Sequence, residues 1–292
     1  MSEGPHLTWL RRQSLRALTD GALREPSGLA LGPDGASLWT VGDETGRLFR
    51  LLLDERGDTP VRLDPSFALD LGCVGLEGVA FKDAETLIAV QEYDPAAGTS
   101  VLVEHSLATG RTVRRPLSEL RGYDALADDF GGSRANKGLE GITWDPAGRR
   151  WLALKEGRPG MLLAISEDLR SVAPVCTFDA RAMGFAEKGS VDYSGMDHAG
   201  GQRIWIVSDE AQTLYLFDVQ ALQVLRRMPL TWGPERKDRK KGGKKDRKKG
   251  GKKGRKPSRL KKAEGVVYDA AHGRLHVVCD EQSELHTYAV SP

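Results

Sequence analysis

One frame recurs five times along this chain, and it limits the possible folds more than any other feature. Residues 139–156 read LEGITWDPAGRRWLALKE: a glutamate and glycine, a short apolar run, a turn, a second apolar run and a closing glutamate. The frame returns from Pro26-Ser27-Gly28 to Glu44, from Leu76-Glu77-Gly78 to Glu92, from Tyr193-Ser194-Gly195 to Glu210 and from Ala263-Glu264-Gly265 to Glu281. From glycine to closing glutamate the gaps are 16, 14, 15, 15 and 16 residues, and the glycines lie 50, 63, 54 and 70 residues apart. Repeats of this length are units that bury their faces only against one another.

Within each copy both runs are short and rich in β-branched and aromatic residues, which predicts strands. Asp145-Pro146-Ala147-Gly148 and Gly32-Pro33-Asp34-Gly35 carry the residues that start and finish a tight turn, so each pair of runs is a hairpin. The second runs (LWTV, LIAV, WLAL, IWIV, LHVV) are apolar almost throughout, as in a strand covered on both faces. A third run follows each closing glutamate at 47–53, 100–103, 161–165, 213–217 and 284–290, and four copies offer a fourth at 61–71, 111–117, 172–178 and 223–230. The prediction is an all-β fold, a five-bladed β-propeller of four-stranded antiparallel blades. The last copy lacks its outer strand, while residues 7–18 precede the first copy with nothing to pair with. An N-terminal strand completing the last blade closes the ring and covers its edge. The rival reading is an amphipathic helix, since Trp9, Leu10, Gln13, Leu15 and Leu18 also fit helical spacing.

The repeats run from about Glu25 to Tyr288, so the 292 residues read as a single domain. The first residues contain two arginines but no continuous apolar stretch, and no membrane span is visible. The expectation is a soluble cytoplasmic protein, monomeric, with Cys73, Cys176 and Cys279 as reduced thiols.

An antiparallel hairpin brings the start of its first strand and the end of its second to one edge, so all the acids of the frame belong on one face of the disc. Glu77, Glu140 and Glu264 precede their glycines directly, whereas the two serine copies carry Glu25 and Asp192 two residues earlier, on the same side of an extended chain. With Glu44, Glu92, Glu156, Glu210 and Glu281 they make ten acids around one mouth. Such crowding calls for a cation, raised carboxyl pKa values or hydrogen bonds. Carboxylates with serine hydroxyls suit a hard divalent cation, calcium above all, or a small polar ligand. The competing reading has the closing glutamates accepting backbone amides and stapling blades. His198 and His272 read as turn residues, and no nucleophile elbow or phosphate-binding glycine loop is present.

PSGLALGPDGASLWTVGDE, GLEGVAF, NKGLEGITWD with LALKE, YSGMDH with IWIVSDE, and AEGVVYDAAHGRLHVVCDE resemble the repeats of the SdiA-regulated β-propeller family. More loosely, they resemble proteins grouped under esterase-like activity of phytase. The resemblance implies a five-bladed propeller, a calcium connection in some members and often an envelope location. Three functions follow as expectations: a cation- or ligand-binding propeller, a metal-dependent hydrolase of phosphate esters, lactones or other esters, and a scaffold with a basic arm.

That arm is residues 234–262, where KDRKKGGK at 237–244 is repeated at 245–252. It holds 17 of the chain's 43 lysines and arginines and only 3 of its 41 acids, leaving 26 basic against 38 acidic residues elsewhere. The near-neutral total of +2 thus conceals a basic pole on an acidic body. With no apolar residue between Gly233 and Leu260 the segment predicts disorder. The tract between Arg236 and Lys261 is either a tolerated loop or a tether for nucleic acid or another polyanion.

Overall fold

The computed structural model describes residues 6–54, 59–67, 69–130, 137–186, 191–233 and 257–291. It is the expected ring of five antiparallel blades. Blade 1 runs outward from Pro26–Leu31 through Ser37–Gly42 to Arg47–Leu52, and its outer position is shared by two short pieces, Arg62–Leu63 and Leu69–Asp70. Blade 2 is Leu76–Phe81, Thr86–Asp94, Thr99–Ser106 and Thr112–Pro116; blade 3 is Leu139–Asp145, Arg150–Lys155, Met161–Ser166 and Val172–Thr177. Blade 4 is Gly195–Gly200, Arg203–Ser208, Thr213–Asp218 and Gln223–Pro229. Blade 5 is Ala263–Asp269, Arg274–Cys279 and Glu284–Ser291, with His6–Ser14 as its outer strand.

That last pairing closes the ring as expected, His6 opposite Ser291 and Ser14 opposite Glu284. The helical alternative holds only for Leu15–Leu18, one turn capped by the Ser14 hydroxyl, which accepts from the Ala17 amide. The strand wins upstream because alternate residues of His6–Ser14 are exposed and half-buried, the pattern of a sheet edge.

The core is divided in five, one apolar cluster at each junction between blades. Every second strand feeds two of these junctions, which is why Ser37–Gly42 is buried throughout and why the corresponding runs are apolar without alternation. Between blades 2 and 3 three short helical turns fill the wedge, with Tyr123 and Phe130 packed together and the Tyr123 hydroxyl donating to Thr99 Oγ1 at 3.1 Å. Cys73, Cys176 and Cys279 are all free thiols.

Residues 234–256 of the basic insertion lie outside the described residues. Its end is ordered against blade 4's exit, where Ser258–Arg259 pairs with Thr231–Trp232. No helix among the described residues is long and apolar enough to cross a membrane.

Candidate functional site: an acidic mouth on the propeller axis

The acids that open each copy owe their direction to β-bulges. In blade 2, Leu76 pairs with Gln91 and Gly78 with Val90, so Glu77 is an extra residue without a ladder partner. Glu140 and Glu264 occupy the same position in blades 3 and 5. A bulged residue leaves the alternation of its strand and can be re-aimed, here towards the axis. Ser27 and Ser194 fill the equivalent places in blades 1 and 4.

The glycines that follow form the floor. A β-carbon on Gly195 would lie 2.0 Å from the Glu264 carbonyl oxygen, and one on Gly265 would lie 2.1 Å from that of Ser27. The inner strands therefore meet backbone to backbone, a distance that only glycine permits. Above this floor is a cavity of about 230 Å³ lined by the inner ring Ser27, Glu77, Glu140, Ser194 and Glu264. A second ring of Asp43, Glu92, Glu156, Asp209 and Asp280 surrounds it, together with Asp192 and two lysines, Lys137 and Lys262.

Six of the ten expected acids thus meet in the mouth: Glu77, Glu140, Glu264, Asp192, Glu92 and Glu156. Glu44, Glu210 and Glu281 do not line it and are exposed. Their places belong to Asp43, Asp209 and Asp280, which directly follow second strands ending at Gly42, Ser208 and Cys279, so that each glutamate is already an outward turn residue. Glu25 also stays outside, because its left-handed backbone (φ 48°) breaks the extended alternation that would have pointed it inward. The signal for the three aspartates was present in the spacing. Measured to Asp43, Glu92, Glu156, Asp209 and Asp280, the distances from the glycines are 15, 14, 15, 14 and 15 residues, tighter than those to the glutamates.

Partners are unevenly shared among the acids of the mouth. On the side of blades 4 and 5, Asp192 and Asp209 have them, whereas Asp280 Oδ1 is buried without one among the described residues: both Asp192 carboxylate oxygens accept the Glu210 amide at 3.0 Å, one of them also takes the Ser208 hydroxyl, and Ser194 Oγ accepts the Asp209 amide at 3.2 Å. Asp209 accepts the backbone amide of Lys262 and lies 3.6 Å from its ammonium. Asp192 thus takes its donors from the end of the second strand of its own blade.

On the side of blades 2 and 3, Glu92, Glu140 and Glu156 each present a carboxylate oxygen within 4.8 Å of the other two. Lys137 Nζ reaches Glu156 Oε2 at 2.7 Å. Glu140, only 8% exposed, finds no hydrogen-bond donor among the described residues. Burial, followed by the charges of Glu77 and Glu92, pushes its carboxyl well above the ordinary range. Burial and then Asp43 do the same to Glu77, and burial with Asp209 raises Glu264 to about 8. Glu92, Asp43 and Asp280 are raised as well, burial again being the first cause. Chemically, the arrangement is a cluster of hard oxygen donors with Lys137 as its neighbouring cation and Glu140 without a donor among the described residues, the donor set of an oxygen-seeking divalent cation.

A family model described as phytase-like, esterase-like activity of phytase, matches residues 22–188. Among solved structures the chain is similar to glutaminyl cyclase of Myxococcus xanthus, with a TM-score of 0.59, 13% identity and 99% of each chain covered. It is similar also to the PQQ-bound aldose sugar dehydrogenase of Streptomyces coelicolor, with a TM-score of 0.50, 13% identity and 98% of each chain covered. A luciferin-regenerating enzyme gives a TM-score of 0.50 at 10% identity over 99% of this chain and 96% of the other. At these identities the likeness is one of fold alone. No curated protein matches the chain.

Proposed function

The chain belongs to the family named for the esterase-like activity of phytase, and from that premise we propose that its mouth holds a divalent cation, calcium first, between Glu92, Glu140 and Glu156. The observation that carries this reading is Glu140, a buried carboxylate aimed into the cavity without a donor and bracketed by two more carboxylates. A buried charge left so costs several kcal/mol, and a cation is the compensation that uses all three groups. Lys137 fixes the outer carboxylate, Glu156, from the solvent side.

Family membership favours a second step, hydrolysis of an ester or phosphoester in the same mouth. The chemistry such an ion supplies when bound is polarisation of a carbonyl or phosphoryl oxygen. The chain's own contribution is a set of groups with different protonation. Glu77, hydrogen-bonded to Ser27 and with its carboxyl raised well above the ordinary range by burial and then by Asp43, is the group placed to act as acid towards a leaving group. The glycine floor closes the mouth from beneath, so substrate and water enter from one side.

Thermal unfolding in EDTA and in millimolar Ca²⁺ tests the cation. A ligand at about 100 times its Kd stabilises the folded state by about 2.7 kcal/mol, a rise of several degrees. Glu140→Gln should abolish most of that rise while leaving the EDTA protein at least as stable as wild type, because it removes an uncompensated acid. Absence of a shift in the wild type with Ca²⁺, Mg²⁺ and Mn²⁺ alike would falsify the cation site. Turnover of 4-nitrophenyl acetate or phosphate that EDTA stops, and that Glu140→Gln lowers by about 100-fold or more, is the result expected for the hydrolase.

A further inference from the structure

Three cavities with shared lining follow one another from the mouth across the junction of blades 3 and 4, and together they outline a groove. Lys137, Glu156 and Asp192, which line the mouth, also line a neighbouring cavity of about 390 Å³ that includes Val191 and Arg158. Val191 and Arg158 in turn belong to a further cavity of about 510 Å³ that reaches Pro159, Phe178 and Tyr193. The three spaces share walls in sequence, from the most polar at the axis to the most aromatic at the periphery.

The groove's wall is held in shape independently of any ligand. The fully buried Lys155 donates from Nζ to the carbonyls of Glu156 at 2.9 Å and Pro159 at 3.2 Å, tying down the turn from beneath. Gly157 takes a left-handed conformation (φ 90°), and a β-carbon there would lie 2.9 Å from the Lys137 β-carbon. At Gly160 a β-carbon would lie 2.5 Å from the Tyr193 ring, so the turn lies flush against the aromatic wall. That wall is itself packed, Phe178 against Tyr193 with ring centroids 4.4 Å apart. Arg158 is exposed at the rim of both cavities, where a guanidinium can cover the face of a bound ring.

An ester has a polar head and an organic arm, and the mouth with its groove has the same division. Resting on the hydrolase reading above, we infer that the groove is the subsite for the aromatic arm of an aryl ester or aryl phosphate whose head lies in the mouth. Arg158 and Val191 are then specificity residues, and Lys155 is a positioning residue acting through the turn it holds.

Calorimetric titration in the presence of Ca²⁺ compares phenyl phosphate, which reaches both places, with inorganic phosphate, which reaches only the mouth. The wild type should bind phenyl phosphate about tenfold tighter or better, the preference that about 1.4 kcal/mol of ring burial confers. Arg158→Trp, which lays an indole over the groove from its exposed rim, should bring the ratio near one and leave both inorganic phosphate affinity and the Ca²⁺-dependent thermal shift as in wild type. Arg158→Ala should lower the ratio while the Ca²⁺-dependent thermal shift persists. Equal affinities in the wild type, or an undiminished preference in both variants, would overturn the groove. If Ca²⁺ stabilises the protein and neither phosphate binds, the cation reading stands and this inference fails; if Ca²⁺ has no effect either, both fall.

Discussion

Asp197 shows how much one side chain can hold across a ring of this kind. It lies two residues beyond Gly195 on the inner strand of blade 4 and reaches both neighbouring blades. Its Oδ2 accepts the Tyr268 amide of blade 5 at 2.8 Å, and its carboxyl also takes the Thr143 hydroxyl of blade 3 and the His198 amide. Burial outweighs these bonds and raises the carboxyl to about 7. In the unfolded chain the same group ionises near the ordinary 3.8 of an aspartate. As pH rises from about 4 to about 7 the unfolded chain gives up a proton that the native state keeps, so stability is lost through that window and levels off above it. Asp197→Asn keeps a carbonyl oxygen for the Tyr268 amide and has nothing to ionise. Its melting temperature should therefore exceed that of wild type at pH 8, with the difference vanishing by pH 4. The mouth acids are common to both proteins and drop out of the comparison. An Asn variant less stable than wild type at pH 8 would show that the carboxylate is ionised and compensated in the fold.

At the level of the strands, the recurring glycine was plain in the sequence but the reason for it was not. Composition identified nearly every strand, because β-branched and apolar runs of this length between turn residues have few other uses. Alternation along the strands could not reveal the bulge at Glu77, Glu140 and Glu264, since a bulge is a mismatch between two strands and belongs to neither alone. For the same reason Asp43, Asp209 and Asp280 were passed over in favour of the glutamates beside them: a one-residue difference in where a strand ends turns a side chain from the axis to solvent. Lys137 and Lys262 carry no repeat signature, and only the folded ring brings them to the mouth. The glycine floor makes a firm prediction at this scale. Gly265→Ala would press a methyl group onto the Ser27 carbonyl, with the Leu29 amide 2.9 Å away and no flexible side-chain end to yield at either point. Urea denaturation should show a loss of about 3 kcal/mol or more, in the range of severe overpacking. A variant within about 0.5 kcal/mol of wild type would mean that the inner strands can part, and the mouth above them would then be adjustable in width.

The molecule as a whole depends on its N-terminal strand in a way that no single blade does. Each junction between blades is an apolar cluster drawn from two neighbours, so a ring with one loosened blade loses part of two clusters. His6–Ser14 supplies Leu7 and Trp9 to the junction of blades 4 and 5, while Leu15, just beyond it, is fully buried between blades 5 and 1. The Leu15 amide donates to Ser283 of blade 5 at 2.7 Å, and Gln13 Nε2 donates to the Val61 carbonyl of blade 1 at 2.8 Å. Chain start and chain end are thereby fastened to each other and to the first blade. Removing residues 1–14 leaves the Leu15 plug but strips the whole outer edge of Glu284–Ser291, whose outward amides and carbonyls are then open to pairing with another copy. The truncated protein should melt well below the full chain and form larger species as its concentration rises, seen by light scattering alongside the melt. Added in excess, a peptide of residues 6–14 should restore part of the lost stability, because it fills the same edge by mass action. A truncation that melts with the full chain and stays monomeric would show that the junction clusters alone hold the ring shut.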